Sequence, residues 1–298
     1  MKILNIGSLN IDHVYSVDHA VRPGETISSS KRQLFCGGKG LNQSIALSKA
    51  GAKVYHAGKI GHDGLMLTER LSENGVNIEY IKVQEGIPTG HAIIQVDTKG
   101  QNCIVIFGGA NNDISENDID EILQNFEAGD ILLLQNEVSN IEYAIEMAHK
   151  KGMKIALNPS PIDDLASSDK LKYIDWFILN EVEGFEITGE KSGKDICTNL
   201  VKRFPNCKVV LTLGKLGCIY YDGSSFYEHG IYDVKVVDTT AAGDTFTGYF
   251  LACIMDNIEM DETLTLASKA SSIAVSRAGA SDSIPTKKEV ENSTLILI

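Results

Sequence analysis

The chain has 298 residues, 43% hydrophobic and 22% charged, which suits one large globular α/β domain and argues against a disordered chain. A formal net charge of −13, with no run of five or more lysines and arginines, argues against nucleic acid or an anionic membrane as partner. Six cysteines without a Cys-x-x-Cys pair exclude zinc-ribbon and thioredoxin-type chemistry and fit reduced thiols.

The opening "MKILNIGSLNI" is too short and too interrupted by asparagine for a signal peptide, and no apolar run is long enough to span a bilayer. A cytoplasmic location is the expectation. Within this stretch "KILNIG" (2–7) reads as a buried strand, and Asn10 and Asp12 follow just past its end. Two residues apart on extended chain, their side chains share a face. Such a pair suits sugar hydroxyls, or equally a turn.

Residues 11–36 alternate apolar and polar side chains without helical spacing. "CGGKGLNQ" (36–43) then follows a strand-like run and opens a helix. Gly37 and Gly38 allow close approach of a ligand, and Asn42 on the first turn offers hydrogen bonds; a plain glycine-rich turn explains the stretch as well. The helical patterns "KGLNQSIALSKAG", "DGLMLTERLSENG" and "IEYAIEMAHKKG" each end at a glycine where a C-cap belongs.

"KVYHAG" (53–58), "DILLLQ" (130–135), "KIALNP" (154–159), "WFILN" (176–180) and "KVVLTLG" (208–214) read as further buried strands. Strands alternating with helices imply a mostly parallel sheet covered on both faces. Residues 80–107 break that rhythm, with "DTKGQN" as a hairpin signal. Together with 11–36 they are expected to form a small inserted sheet, a lid over the strand ends of a single domain spanning 1–298.

"LNEVE" (179–183) ends a strand and starts a helix, and Asn180 and Glu183 have capping-box spacing. "LTLGKLG" (211–217) is a strand and a glycine-rich turn, in the plainest case a hairpin. Two helical elements are expected from about 242 to 277, whereas "ENSTLILI" at the end is uninformative.

"VDTTAAGDTFTGYF" (237–250) places Asp244 in the first turn of a helix, behind the small residues Ala241, Ala242 and Gly243. Unpaired amides there make an anion hole. The aspartate is either a helix cap or a general base beside that hole. Walker A, Rossmann, His-Glu-x-x-His and Gly-x-Ser-x-Gly patterns are all absent.

Taken in order and spacing, "GGKGxNQ", "NxxE", "TLGxxG" and "DTxAAGDTF" resemble the ribokinase family of sugar kinases, the phosphofructokinase-B group, over essentially the whole chain. The resemblance implies a three-layer αβα fold with a β-sheet lid and ATP-dependent phosphorylation of a small sugar. Ribose is the first expectation; deoxyribose, fructose, a nucleoside, or a non-catalytic sugar sensor stay open. It implies Asp244 as base, with Ala241, Ala242 and Gly243 around the transferring phosphoryl group. Asn10, Asp12, Gly38, Lys39, Asn42 and Glu137 match sugar-binding positions. Asn180, Thr212, Leu213, Gly214, Lys215, Leu216, Gly217 and Gly243 match nucleotide-binding ones, with Ser268 a further candidate. Glu183 matches the acid linked to Mg²⁺ through water. Asp238, Thr240, Ala274, Arg277, Gly279 and Ser283 match a site for K⁺. A homodimer through the lid is implied as well.

Overall fold

The computed structural model describes residues 1–162 and 164–298. Its main sheet has nine strands: β1 (Ile3–Ile6), β4 (Val54–Ile60), β5 (Asn77–Val83), β8 (Ile131–Gln135), β9 (Lys154–Asn158), β10 (Trp176–Asn180), β11 (Lys208–Thr212), β12 (Cys218–Tyr221) and β13 (Phe226–His229). They lie in the order β13-β12-β11-β10-β9-β8-β1-β4-β5. From β5 to β11 every pairing is parallel, and β12 and β13 close one edge antiparallel. The central strands are apolar without alternation because helices cover both faces; in β8 all five residues are buried.

Helices α1 (Lys39–Lys49), α2 (Leu65–Glu73), α7 (Ala242–Met255), α8 (Met260–Val275) and α9 (Lys287–Glu291) cover one face, around Leu41, Ile45, Phe250 and Leu264. Helices α3 (Glu116–Leu123), α4 (Ile141–Lys150), α5 (Glu181–Thr188) and α6 (Gly193–Arg203) cover the other, around Phe126, Ile145, Phe177 and Leu200. This is the expected αβα sandwich.

A separate four-stranded sheet runs β3 (Lys31–Gly37), β2 (Asn10–Ser16), β6 (Gly90–Val96), β7 (Asn102–Phe107), with the hairpin at "DTKGQN" joining β6 to β7. One expected boundary is corrected: Tyr80–Val83 belongs to β5, the edge of the main sheet, and the second inserted segment starts at β6. An edge strand with one solvated face alternates in polarity like a lid strand, which is why the two looked alike. The chain's end adds a single bridge, Tyr232 with Leu297.

The strand order reverses between β1 and β8, since the chain runs from β1 outward to β4 and β5 and then returns to β8. Open α/β sheets bind ligands at such a switch point, beyond the strand ends. Here the first turn of α1 is laid directly on the β1–β2 connection. A Cβ at Gly40 would collide with Gly7 and Ser8 backbone, so only glycine permits the approach.

Candidate active site

At the switch point the starts of α1 and α7 face each other. Ala241, in the left-handed region at φ 60°, turns the chain into α7, a conformation that a non-glycine residue adopts at a cost. Asp244 follows in the first turn. Its Oδ2 accepts from Asn42 Nδ2 at 3.0 Å and its Oδ1 from Gln43 Nε2 at 2.9 Å, both donors near the start of α1. The carboxylate is therefore tied to the opposite helix rather than spent as a cap on its own.

Lys39, Asn180, Glu183, Thr212, Ala241, Ala242, Gly243 and Asp244, all named from the sequence, line one cleft of about 230 Å³. First-turn amides lack intrahelical partners. The Ala242 N–H reaches back to the Thr239 carbonyl at 3.3 Å. A methyl at Gly243 would meet nothing within 4 Å, so the space above this turn is open. Gln43, Asn158, Thr239 and Thr247 also line the cleft and were not singled out from the sequence.

Beside it lie the residues expected to hold sugar. Asn10 Oδ1 accepts from Asn111 Nδ2 at 2.8 Å, and buried Asn111 is itself fixed by the Leu9 N–H at 3.0 Å. Nothing in the sequence pattern marked Asn111. The Glu137 carboxylate accepts from the Ser8 hydroxyl and from the Lys39 N–H. Gly38, at φ 96°, is the residue before α1. Asn42 Oδ1 is a buried acceptor without a partner, the kind of group that a ligand hydroxyl satisfies.

Burial, then repulsion from Glu137, pushes Asp12 up to about 7. Burial also raises Glu137, against the pull of the Lys39 ammonium. For Lys39 burial disfavours the charge, yet Asp244, Glu137 and Glu183 outweigh it and hold the ammonium above its usual value. One lysine thus faces three carboxylates inside a chain of net charge −13, and their negative potential keeps it charged.

At the other end Asn180 and Glu183 form a capping box: Asn180 Oδ1 accepts from the Val182 and Glu183 N–H groups, and Glu183 accepts from the Asn180 N–H. The sequence left capping and ligand binding open, and both residues also line the cleft. The turn from Leu213 through Gly214, Lys215 and Leu216 to Gly217 links β11 to antiparallel β12, a hairpin as its simplest description had it, with Leu216 81% exposed. Ser268 is not part of the cleft lining: it is buried under β12 with its hydroxyl 3.5 Å from Cys218 Sγ.

The residues matched to a monovalent-cation site lie on two segments, the approach to α7 and the end of α8 with the loop after it, joined through Asp238. Asp238 Oδ1 accepts from the Thr240 N–H and hydroxyl, and Oδ2 from the Gly279 N–H at 3.0 Å. Burial opposes its charge, but these bonds hold the carboxyl below the usual range. On the second segment the Ala274 carbonyl accepts from the Arg277 N–H, the Arg277 side chain pairs with Glu289, and the Ser283 hydroxyl donates to the Ala280 carbonyl.

The family model of pfkB family carbohydrate kinases matches residues 1–287. The chain belongs to this family. It is 36% identical to the ribokinase of Haemophilus influenzae over 293 residues, covering 95% of each protein. It is 34% identical to that of Staphylococcus aureus, covering 97% of this chain and 98% of the relative. The structure of Arabidopsis thaliana ribokinase complexed with ribose and ATP superposes with a TM-score of 0.86 at 31% identity, covering 97% of each chain. As a pfkB carbohydrate kinase, the chain is a phosphotransferase acting on a hydroxyl group.

Proposed function

We propose that this kinase transfers the γ-phosphoryl group of ATP to the 5-hydroxyl of D-ribose, giving D-ribose 5-phosphate and ADP. The observation that carries the reading is the Asp244 carboxylate, fixed by Asn42 and Gln43 in the open first turn of α7 beside Lys39. Ribokinase relatives at 32–36% identity over nearly full length support ribose as acceptor.

Asp244 takes the hydroxyl proton as the sugar oxygen forms its bond to phosphorus and the bond to the ADP oxygen breaks. The Gly243 amide, with that of Ala242, stabilises the charge on the transferring group at the positive end of α7. Lys39 adds a fixed cation. Asn10, Asp12, Gly38, Asn42 and Glu137 orient the sugar; Asn180, Thr212 and the turn 213–217 hold the nucleotide. Fixing base, acceptor and donor in one geometry can supply about 7–11 kcal/mol of the barrier at best.

Glu183, a carboxylate in the cleft lining, fits a magnesium ion held through water, which would neutralise phosphate charge when bound. Asp238, Thr240, Ser283 and the carbonyls of Ala274, Arg277 and Gly279 would supply an all-oxygen donor set of the kind that suits K⁺, which would order the chain leading into Asp244. The four-stranded sheet acts as a lid that excludes water and as a dimer contact, in a cytoplasmic enzyme.

ADP release with ATP, Mg²⁺ and K⁺ is to be followed on ribose, deoxyribose, fructose and nucleosides, with Asp244→Asn alongside. Preferred turnover on ribose, lost in the variant by about 10²–10⁴-fold, is expected. Preference for another acceptor would overturn ribose and leave the kinase chemistry standing.

A further inference from the structure

From Asp244 a chain of buried, neutral side chains runs inward, starting at Gln43 in the cleft lining. Gln43 Nε2 donates to Asp244, and Gln43 Oε1 accepts from Gln135 Nε2 at 2.7 Å. The same Gln135 nitrogen donates to Asn5 Oδ1 at 3.0 Å. Asn5 Nδ2 donates to the Gly40 carbonyl and to Ser44 Oγ, each at 2.8 Å. Ser44 Oγ then meets His56 Nδ1 at 2.8 Å, and His56 Nε2 meets the Gly7 carbonyl at 3.2 Å. Asn5, Gln43, Ser44, His56 and Gln135 are all almost fully buried.

The direction of every bond follows from the two ends. A backbone carbonyl only accepts. Gly40 O therefore orients the Asn5 amide with its nitrogen toward α1 and its oxygen toward Gln135. Gln135 must then donate, so Gln43 must present its oxygen to Gln135 and its NH₂ to Asp244. Gly7 O likewise puts the His56 proton on Nε2, leaving Nδ1 to accept from the Ser44 hydroxyl, whose oxygen accepts from Asn5. Burial, which pulls His56 down to about 4, keeps the ring neutral and this tautomer stable at ordinary pH.

We infer that Gln43, locked by Gln135 and Asn5, is a positioning residue that fixes the rotamer and lone-pair direction of the base. This rests on the assignment of Asp244 as the proton acceptor. An amide suits the task where a charged donor would not. It holds an ionised carboxylate without transferring a proton to it, and it offers no acceptor, so the proton taken from the sugar leaves by the cleft side. If the chain were only core packing, an apolar side chain of equal length would serve at position 43.

The test is Gln43→Met and Gln43→Glu, with Gln135→Met as a second route to an unlocked Gln43 should the first fail to fold. Gln43→Met is expected to lower kcat about tenfold to a hundredfold with KM for sugar and ATP little changed, because the base is displaced rather than the ligands. Gln43→Glu places a second carboxyl against Asp244. The pair then titrates together and the acidic limb of the kcat–pH profile moves up by a unit or more. A folded Gln43→Met enzyme with wild-type kcat, or a Gln43→Glu profile that does not move, would overturn the inference. Asp244→Asn separates the two levels. If that variant keeps turnover, the base assignment itself fails. If it is inactive while the Gln43 variants behave as wild type, only the positioning role fails.

Discussion

Asp12 and Glu137 are two partly buried carboxyl groups close enough that the charge of Glu137 helps push Asp12 up to about 7. An acid whose pKa is higher folded than unfolded stabilises the fold fully below the unfolded value and loses that contribution as pH rises through the folded one. From 3.8 to about 7, the loss amounts to about 4 kcal/mol at most. The sugar-free enzyme is therefore expected to lose stability from about pH 4 to about pH 7, with little further change above, and Asp12→Asn to flatten that slope. Ribose hydroxyls donating to ionised Asp12 reverse the trend for binding, so its Kd should fall as pH rises through about 7. Calorimetry across this range, with and without ribose, checks both. A Kd that ignores pH would remove Asp12 from the sugar site.

Gly243 separates activity from stability. A Cβ there meets nothing within 4 Å of the free protein, and replacing glycine by alanine within a helix gains roughly 0.5–1 kcal/mol. On the proposed mechanism the added methyl nevertheless occupies the space through which the transferring phosphoryl group approaches the amides. Gly243→Ala is expected to raise Tm slightly while kcat falls about 10²-fold or more, in the range seen on loss of one oxyanion donor. Unchanged kcat would move the anion hole elsewhere.

The sequence made the strands of the main sheet legible from Ile3 to Thr212 because parallel strands covered on both faces are continuous apolar runs. The antiparallel strands β12 and β13 were harder because each is only four residues long, and β5 because it is partly solvated and lacks a distinctive period. At the site, the quoted motifs already contained Lys39, Asn42, Asn180, Glu183 and Asp244, all of which meet in or beside one cleft. Gln43 stood within "GGKGLNQ" yet reads as an ordinary helical residue until its partner, Gln135, 92 residues away, is in place. Asn111 and Asn5 were silent for the same reason: a buried amide acquires meaning only from partners that folding supplies.

Gly248 lets α7 approach α1. A Cβ there would collide with Ala46 and come within 2.7 Å of the Leu47 backbone nitrogen, neither of which is a flexible side-chain end. Overpacking of this kind costs about 1–3 kcal/mol. Gly248→Ala is expected to lose that much by urea denaturation, and also to lower kcat, because separating the helices pulls Asp244 from Asn42 and Gln43. Loss of stability with intact kcat would show that the helix crossing tolerates the shift.

Asp238 connects the strand-like approach to α7 with the loop after α8 through Gly279. Asp238→Ala removes both this closure and an oxygen donor proposed for K⁺. In the wild type, replacing potassium by a bulky organic cation is expected to lower kcat severalfold. In Asp238→Ala, activity should be low and indifferent to potassium. A variant that still responds to K⁺ would place the ion at another site.

The lid supplies the last prediction. Its edge strand β7 carries Ile104, Val105, Ile106 and Phe107, between 49% and 67% exposed, and pairs on one side only, with β6. The register Asp12–Ala92–Ile106 puts Ile106 on the face shared with Asp12 and Val105 on the opposite face. An edge strand that is apolar on both faces invites pairing or packing against another sheet. Sedimentation velocity is expected to give about twice the 32.4 kDa chain mass for the wild type and the chain mass for Val105→Lys combined with Ile106→Lys. Because Ile106 shares the sheet face of Asp12, a residue of the proposed sugar site, dissociation should also raise KM for ribose more than KM for ATP. A wild-type enzyme that sediments as a monomer at micromolar concentration would leave the lid as a cover alone, with its apolar edge serving closure over the sugar.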